Sequence, residues 1–378
     1  MRWVIAPDSF KGSLSAAKVA AALARGIARV EPSAELLLRP MADGGEGTLE
    51  ALCAAGLGQW RHARVAGVDG TVRPVRWLGL EDGAAVVEVA EVVGLPDAGG
   101  TRPGQRSTVG VGALIRAVLD TGCRRILIGL GGSSTNDGGA GCLVALGARL
   151  LDSLGQEVAP VPEALVHLHR VELSGLDARL ARVQWTVLCD VGNPLTGPEG
   201  ATRVFGPQKG VASHELEAFD AALAHWARQA EQAFGQRCAH LPGSGAAGGL
   251  GFALRLLGGQ VESGAAVVAR LTGVEAAIAG ADWVLTGEGR SDGQTLHGKA
   301  PARVATLARE AGVPVSLLSG GLDRQALSAL LDQFDGCFSI QPGPATLEEA
   351  LAHTEDNLSQ TAAALAQVIL ANRSLRKP

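Results

Sequence analysis

Five stretches of this 378-residue chain set acidic side chains and glycines directly after short apolar runs. The first is Asp8-Ser9-Phe10-Lys11-Gly12 and the second is Asp43-Gly44-Gly45-Glu46-Gly47. The third runs from Gly129 to Gly139, and the fourth is Asp190-Val191-Gly192-Asn193-Pro194. The fifth is Gly287-Glu288-Gly289-Arg290-Ser291-Asp292-Gly293. Carboxylates can hold a hard cation or take a proton, and glycine lets backbone N–H groups approach a ligand. A single Asp-Gly after a strand is ordinarily a turn or a helix cap. Five such loops are hard to explain that way, because ligands of α/β sheets bind where loops gather at the carboxyl ends of strands. Between Gly131 and Gly139 the density of Gly, Ser, Asn and Asp makes an ordered loop costly in entropy. Such a loop at a helix start offers N–H groups and hydroxyls to an anion. Gly131, Gly132, Ser133, Ser134, Thr135 and Asn136 therefore form a candidate phosphate cradle.

Two near matches to nucleotide motifs do not carry that chemistry. Gly293 to Ala300 reads as a P-loop, but Ala300 stands where a Mg²⁺-holding hydroxyl belongs. Six residues also separate Gly293 from Thr286, the expected end of its strand. Lys299, just before Pro301 at a helix start, is still placed to meet a phosphate or a substrate carboxylate. Gly243-Ser244-Gly245-Ala246-Ala247-Gly248 spells G-x-G-x-x-G, but Leu241-Pro242 and a helix precede it instead of a strand. Close packing of the following helix is its expected use. His167 and His169 are expected to face solvent, and His297, alone in a candidate site, to be structural. No Cys/His group has zinc spacing, and no G-x-S-x-G elbow supports a serine hydrolase.

The elements that must position these loops alternate. A strand from Trp3 to Ala6 precedes a helix with apolar or small residues at Ala16, Ala20, Leu23, Ile27 and Val30. A second strand, Glu35 to Arg39, leads into Asp43 and another helix. From about His62 to Val93 the chain is Val-rich with Asp69-Gly70 and Asp82-Gly83 as turns, which predicts a small antiparallel meander. Strands follow at Arg124 to Gly129 and Gln184 to Asp190, and Ala/Leu-rich helices at roughly 213–234 and 246–257. The tail returns to the opening style, with strands at Asp282 to Thr286, Val313 to Ser319 and Gly336 to Gln341. Its last helix opens on the capping box Thr346-x-x-Glu349 and lines up Leu347, Leu351, Leu358, Leu365 and Ile369. This pattern predicts two α/β domains: a discontinuous Rossmann-like domain of residues 1–65 and 285–378, and an inserted mixed α/β domain, 66–284, containing the meander.

Composition narrows the partners. A net charge of −5 and a pI near 5.9 argue against a duplex-binding surface, and 3% aromatic content without Tyr argues against single-strand stacking. No window is apolar for long enough to span a membrane, and the N-terminus reads as a buried strand instead of a signal peptide. The six cysteines are scattered, as expected of reduced thiols in a cytoplasmic protein.

The chain resembles the type I glycerate kinases, bacterial glycerate 2-kinases among them, along essentially its whole length. The resemblance is carried by Ala6 to Gly12, Met41 to Thr48, Gly129 to Gly141, Asp190 to Leu195 and Gly206-Pro207-Gln208-Lys209-Gly210. It continues through Gly245 to Phe252, Thr286 to Asp292 and Gly298 to Pro301. It implies phosphoryl transfer from ATP to D-glycerate with Mg²⁺, giving 2-phosphoglycerate, on a two-domain fold. Alternatives are 3-phosphoglycerate as product and, from another class, a non-catalytic sugar-acid or nucleotide-binding sensor. Phosphoryl transfer asks mainly for positioning and charge compensation. On that basis Asp190 and Asp43 are the expected Mg²⁺ ligands, with Asp292 a rival. Asp292 is expected to orient or deprotonate the attacking hydroxyl, and Asp190 and Lys11 to share in catalysis. Asp8, Ser9, Lys11, Arg290 and Lys299 are the expected substrate-binding residues. Small molecules are the expected partners, and self-association into a homo-oligomer stays open.

Overall fold

A computed structural model describes residues 1–296 and 298–375. His297, singled out above, lies outside the described residues. The strands are, in chain order, β1 (Arg2–Ile5), β2 (Glu35–Leu38), β3 (Gly58–Ala66), β4 (Val72–Leu80), β5 (Ala85–Glu88), β6 (Arg125–Gly129) and β7 (Arg149–Leu151). They continue as β8 (Arg170–Glu172), β9 (Gln184–Leu188), β10 (Gln260–Glu262), β11 (Trp283–Glu288), β12 (Val315–Ser319) and β13 (Gly336–Ser339). The chain is a mixed α/β protein that forms two compact units. Unit 1 comprises Met1–Asp43, Glu50–Leu57 and the described residues from Ala265 on, and unit 2 comprises Gly44–Leu49 and Gly58–Gly264.

Unit 1 is built on a five-stranded sheet in the order β13-β12-β11-β1-β2, parallel throughout. The chain winds outward from β1 to β2 on one side and from β11 to β13 on the other. The order therefore reverses between β1 and β11, which is where an open parallel sheet leaves a crevice at its carboxyl edge. Helix Ala16–Val30 buries Val19, Ala20, Leu23 and Ile27, which share one face of the helix, against Trp3 and Ile5 of the sheet and Leu358 and Ala362 of helix Thr354–Leu375. At about 25 cal/mol per Å² of apolar surface, each such Leu or Ile contributes roughly 2 kcal/mol.

The capping box at Thr346 forms, Thr346 Oγ1 accepting from the Glu349 N–H at 3.3 Å and Glu349 accepting in return from the Thr346 N–H at 2.9 Å. The single last helix expected from the leucine spacing is two helices, Leu347–Ala352 and Thr354–Leu375. The Thr354 hydroxyl donates to the Ala350 carbonyl at 2.9 Å and contacts that of Leu351, so a side chain takes over carbonyls the ladder would use. Leu347 is consequently 75% exposed while Leu358 is fully buried.

Unit 2 carries a six-stranded sheet, β10-β9-β6-β5-β4-β3, with a separate antiparallel pair β7-β8. The expected meander is present as β3-β4-β5, but β5 also pairs in parallel with β6, so it is one edge of a mixed sheet. The boundary expected near residue 65 moves for the same reason. All nine residues of β3 pair with β4, which draws the unit back to Gly58. At the other end unit 2 stops at Gly264 instead of 284, because Ala265, Val267 and Val268 belong with unit 1. The core of unit 2 gathers the sheet with helices Val109–Asp120, Leu216–Phe234 and Ala246–Leu256. Trp226 meets Phe252 edge-on with centroids 6.4 Å apart, and its indole N–H donates to the Gly138 carbonyl at 3.0 Å.

Candidate active site

The crevice of unit 1 holds a pocket of about 340 Å³. β1 delivers Asp8, Ser9 and Lys11 to it, the segment after β2 delivers Asp43, and β11 delivers Glu288, Arg290 and Asp292. Lys299, at the N-terminus of helix Ala300–Glu310, completes the charged wall. Phe10, Leu347 and Leu351 supply an apolar side. The loops are tied to the sheet they leave. Asp8 N–H donates to the Gly287 carbonyl at 2.8 Å, Met41 N–H to that of Pro7 at 2.8 Å, and Gly320 N–H to that of Glu288 at 3.2 Å. Seven residues expected to act on substrate or metal thus come together here: Asp8, Ser9, Lys11, Asp43, Arg290, Asp292 and Lys299.

Four acids and three bases line the pocket. Burial, and after it the charge of Asp43, raises the Asp8 carboxyl from 3.8 to about 8, with Glu288 adding to the effect. The Ser9 amide, 2.6 Å from Asp8 Oδ1, and Lys11 pull the other way. Glu288 is also raised by burial, against the Thr295 hydroxyl that donates to its Oε1 at 2.5 Å and the nearby Lys299. Thr295 Oγ1 also accepts from the Asp292 N–H at 3.0 Å, linking the two acids through one hydroxyl. Asp292 caps the short turn Gly293–Leu296 through Oδ1, which accepts from Gln294 N–H at 2.9 Å. Arg290 is 74% exposed and lies 4.0 Å from Asp292 and 3.8 Å from Asp323, so it is steered more than bound. The Ser9 hydroxyl is buried without a partner among the described residues, a group that elsewhere would cost free energy and here faces a polar pocket.

The near-P-loop settles into another form. β11 runs two residues past Thr286, and Gly293–Leu296 is a single tight turn ahead of helix Ala300–Glu310. Ala300 is fully buried, and Lys299 occupies the helix cap.

In unit 2 the expected cradle follows β6. Gly131 is half-buried and Gly132 exposed, while Ser133, Ser134, Thr135 and Asn136 are buried. Their side chains work inward: Ser134 Oγ donates to the Val93 carbonyl at 2.9 Å and Asn136 Nδ2 to Thr202 Oγ1 at 2.8 Å. Gly131 and Gly248 show why glycine is needed. A Cβ on Gly131 would lie 2.5 Å from Gly45 Cα, and one on Gly248, at φ +64°, would lie 1.9 Å from the Thr135 carbonyl oxygen. The G-x-G-x-x-G stretch thus serves backbone packing against this loop. Asp137 sits in the loop's turn, accepting from Thr108 N–H at 2.7 Å, Thr108 Oγ1 at 2.8 Å, Gly139 N–H at 3.1 Å and Gly141 N–H at 3.2 Å.

Asp190 is also in unit 2, where its Oδ1 accepts from Gly264 N–H at 3.1 Å. Two residues escaped the sequence reasoning. Glu288 was passed over as a loop residue, although a strand two residues longer puts it at the carboxyl edge of β11. Lys209, within the quoted Gly206 to Gly210 stretch, proves to be a buried cation. Among the described residues no group of three or more His, Cys, Asp or Glu side chains is arranged to hold a metal ion. None of those residues forms a helix long and apolar enough to cross a membrane.

The match to known proteins is as extensive as the site. The model of the Glycerate kinase family matches residues 3–370. The chain belongs to the glycerate kinase family. It is 44% identical over 375 residues to a glycerate kinase of Bacillus subtilis (strain 168), covering 98% of each chain. It is 40% identical over 373 residues to the glycerate 2-kinase of Escherichia coli (strain K12), again covering 98% of each. A crystal structure of a Salmonella typhimurium LT2 protein assigned as glycerate kinase 2 superposes with a TM-score of 0.86 at 41% identity, covering 99% of both chains. Membership of the glycerate kinase family makes this chain an ATP-dependent kinase.

Proposed function

We propose that the protein phosphorylates D-glycerate at its 2-hydroxyl, giving 2-phosphoglycerate. The observation that carries this reading is the pocket at the β1/β11 strand reversal. Its volume suits a three-carbon acid, and cationic and acidic groups face one another across it. Lys11, Arg290 and Lys299 hold the glycerate carboxylate and the arriving phosphoryl oxygens, Arg290 with the bidentate reach of a guanidinium. The unpartnered Ser9 hydroxyl and the proton that Asp8 retains at neutral pH donate to substrate oxygens. Asp292 takes the proton of the 2-hydroxyl as that oxygen bonds to the γ-phosphorus and the bond to the ADP oxygen breaks. Thr295 orients Asp292 from behind. In unit 2 the loop Gly131 to Asn136 receives the ATP phosphates.

The donor chemistry of the pocket fits Mg²⁺. Its acids are all carboxylates, and Asp8 is raised first by burial and then by the charges of Asp43 and Glu288, a repulsion that a divalent cation relieves. Asp43 is the proposed ligand there, and Asp190 is also proposed as a Mg²⁺ ligand. Bound Mg²⁺ would supply charge neutralisation on the phosphoryl oxygens.

The test is phosphorus NMR of the product formed from ATP and D-glycerate. A phosphate on C2 couples to one carbon-bound proton and gives a doublet, whereas one on C3 couples to two and gives a triplet. A triplet would move the acceptor to the 3-hydroxyl. Ligand binding without glycerate-dependent release of ADP would replace the kinase by a sensor. The name of the Escherichia coli relative, a glycerate 2-kinase, favours the doublet.

A further inference from the structure

We propose that Lys209 and Arg106, buried behind the loop Gly131 to Asn136, are positioning residues for the ATP phosphates: they anchor the loop's carbonyls inward and add positive potential beneath the bound anion. Lys209 is 4% exposed and Arg106 6%. Lys209 Nζ donates to Ser133 Oγ at 3.1 Å and to the Thr135 carbonyl at 2.8 Å. Arg106 Nη1 donates to the Lys209 carbonyl at 2.7 Å and to the Ser134 carbonyl at 3.3 Å, and Arg106 Nε donates to the Thr101 carbonyl at 2.8 Å. These bonds end on main-chain carbonyls and one hydroxyl, and among the described residues neither cation has a carboxylate within ion-pair distance.

Two features follow from that arrangement. A trans peptide points its N–H opposite to its C=O. Carbonyls of Ser134 and Thr135 drawn toward the cations therefore turn the next two N–H groups, of Thr135 and Asn136, the other way. Neither of these amides donates a hydrogen bond among the described residues. Second, a buried cation without a contact counter-ion is costly, and an anion on the far side of the loop offsets that cost. Asp137 is the carboxylate that acts on Lys209, but four shorter hydrogen bonds already hold its oxygens. Burial brings the Lys209 ammonium down to about 7, with Arg106 lowering it further and Asp137 opposing. Lys209 thus loses its charge just above neutrality, and a docked phosphate favours keeping it.

This inference rests on the loop being the ATP phosphate site, and the experiment separates the two. The variants are Lys209→Met, Lys209→Arg and Gly132→Asp, the last placing a negative charge on the exposed part of the loop. Each is assayed for kcat and for KM of ATP and of glycerate between pH 6.5 and 9. Lys209→Met is expected to raise KM for ATP about tenfold or more while the glycerate KM stays within about twofold. Lys209→Arg should restore ATP affinity and remove the rise in ATP KM that is expected of the wild type above pH 7. A folded Lys209→Met enzyme with unchanged ATP KM, or with both KM values raised alike, overturns the proposal. If Lys209→Met does not fold, a Lys209→Arg profile that rises with pH as the wild type does overturns it. Should Gly132→Asp leave the ATP KM unmoved, the loop is not the phosphate site and both readings fall. If Gly132→Asp raises it and Lys209→Met does not, the role of the buried cations alone falls.

Discussion

Replacing Asp8 by Asn should make the protein more stable and much less active. Asn fills the same volume and still offers an oxygen to the Ser9 N–H, but it removes a carboxyl that folding holds at about 8 instead of 3.8. Between about pH 4 and pH 8 the unfolded chain has lost a proton that the folded protein keeps, so this group makes stability fall as pH rises through that window. At pH 7, three units above the unfolded value, the ceiling is ~4 kcal/mol at 1.36 kcal/mol per unit. Water reaching the pocket reduces this to about 2 kcal/mol, or roughly 5 °C in the melting temperature of a unit this size. Scanning calorimetry at pH 4.5 and pH 8 provides the assay. The Asn variant should gain about 5 °C at pH 8 and only about 1 °C at pH 4.5, with kcat down by about a hundredfold. A variant that melts at or below the wild type at pH 8, or gains equally at both pH values, would refute the electrostatic account of the pocket.

Asp190→Asn and Asp292→Asn should each lower kcat by about a hundredfold or more with the far-ultraviolet spectrum unchanged; near-normal turnover in both would remove these residues from the site. Gly248→Ala should cost about 3 kcal/mol, since φ is +64° and the new methyl meets the Thr135 oxygen, and urea unfolding measures it. The same variant should raise the ATP KM by disturbing the loop that oxygen belongs to. Thr295→Val unlinks Asp292 from Glu288 and should lower kcat about tenfold with KM for ATP unaffected, as read from steady-state kinetics.

What was legible in the sequence is what local chemistry writes into it. Asp8, Asp43 and Asp292 follow short apolar runs that read as strands, so polarity and glycine beyond them marked loop positions before any fold was known. The alternation of elements also named the α/β class. Burial that depends on distant chain was not legible. Lys209 looks like a surface lysine in Gly-Pro-Gln-Lys-Gly, because the carbonyl that holds it belongs to a residue 74 positions away. Thr286-Gly287-Glu288 looks like the end of a strand passing into a loop, and only pairing with β12 extends the ladder to Glu288. The leucines at 347, 351 and 358 share a helical period, but a period carries no mark of the Thr354 hydroxyl that interrupts it. The meander was visible from its turns, whereas the parallel attachment of β5 to β6 joins residues forty-one apart.

The central pair of the unit 1 sheet has a consequence for how the protein comes into being. β1 pairs with β11, and the Thr286 hydroxyl bonds to the Ala6 carbonyl 280 residues earlier in the chain. During synthesis β1 can pair early with β2 on one side, but its other edge must wait for β11 until most of the protein has left the ribosome. The sheet of unit 2 is complete once β10 has emerged at Glu262. Long-range parallel pairing is slow and exposes strand edges meanwhile. The pocket of unit 1 is thus complete only after its last lining residue, Thr354, has been made, well after the sheet of unit 2.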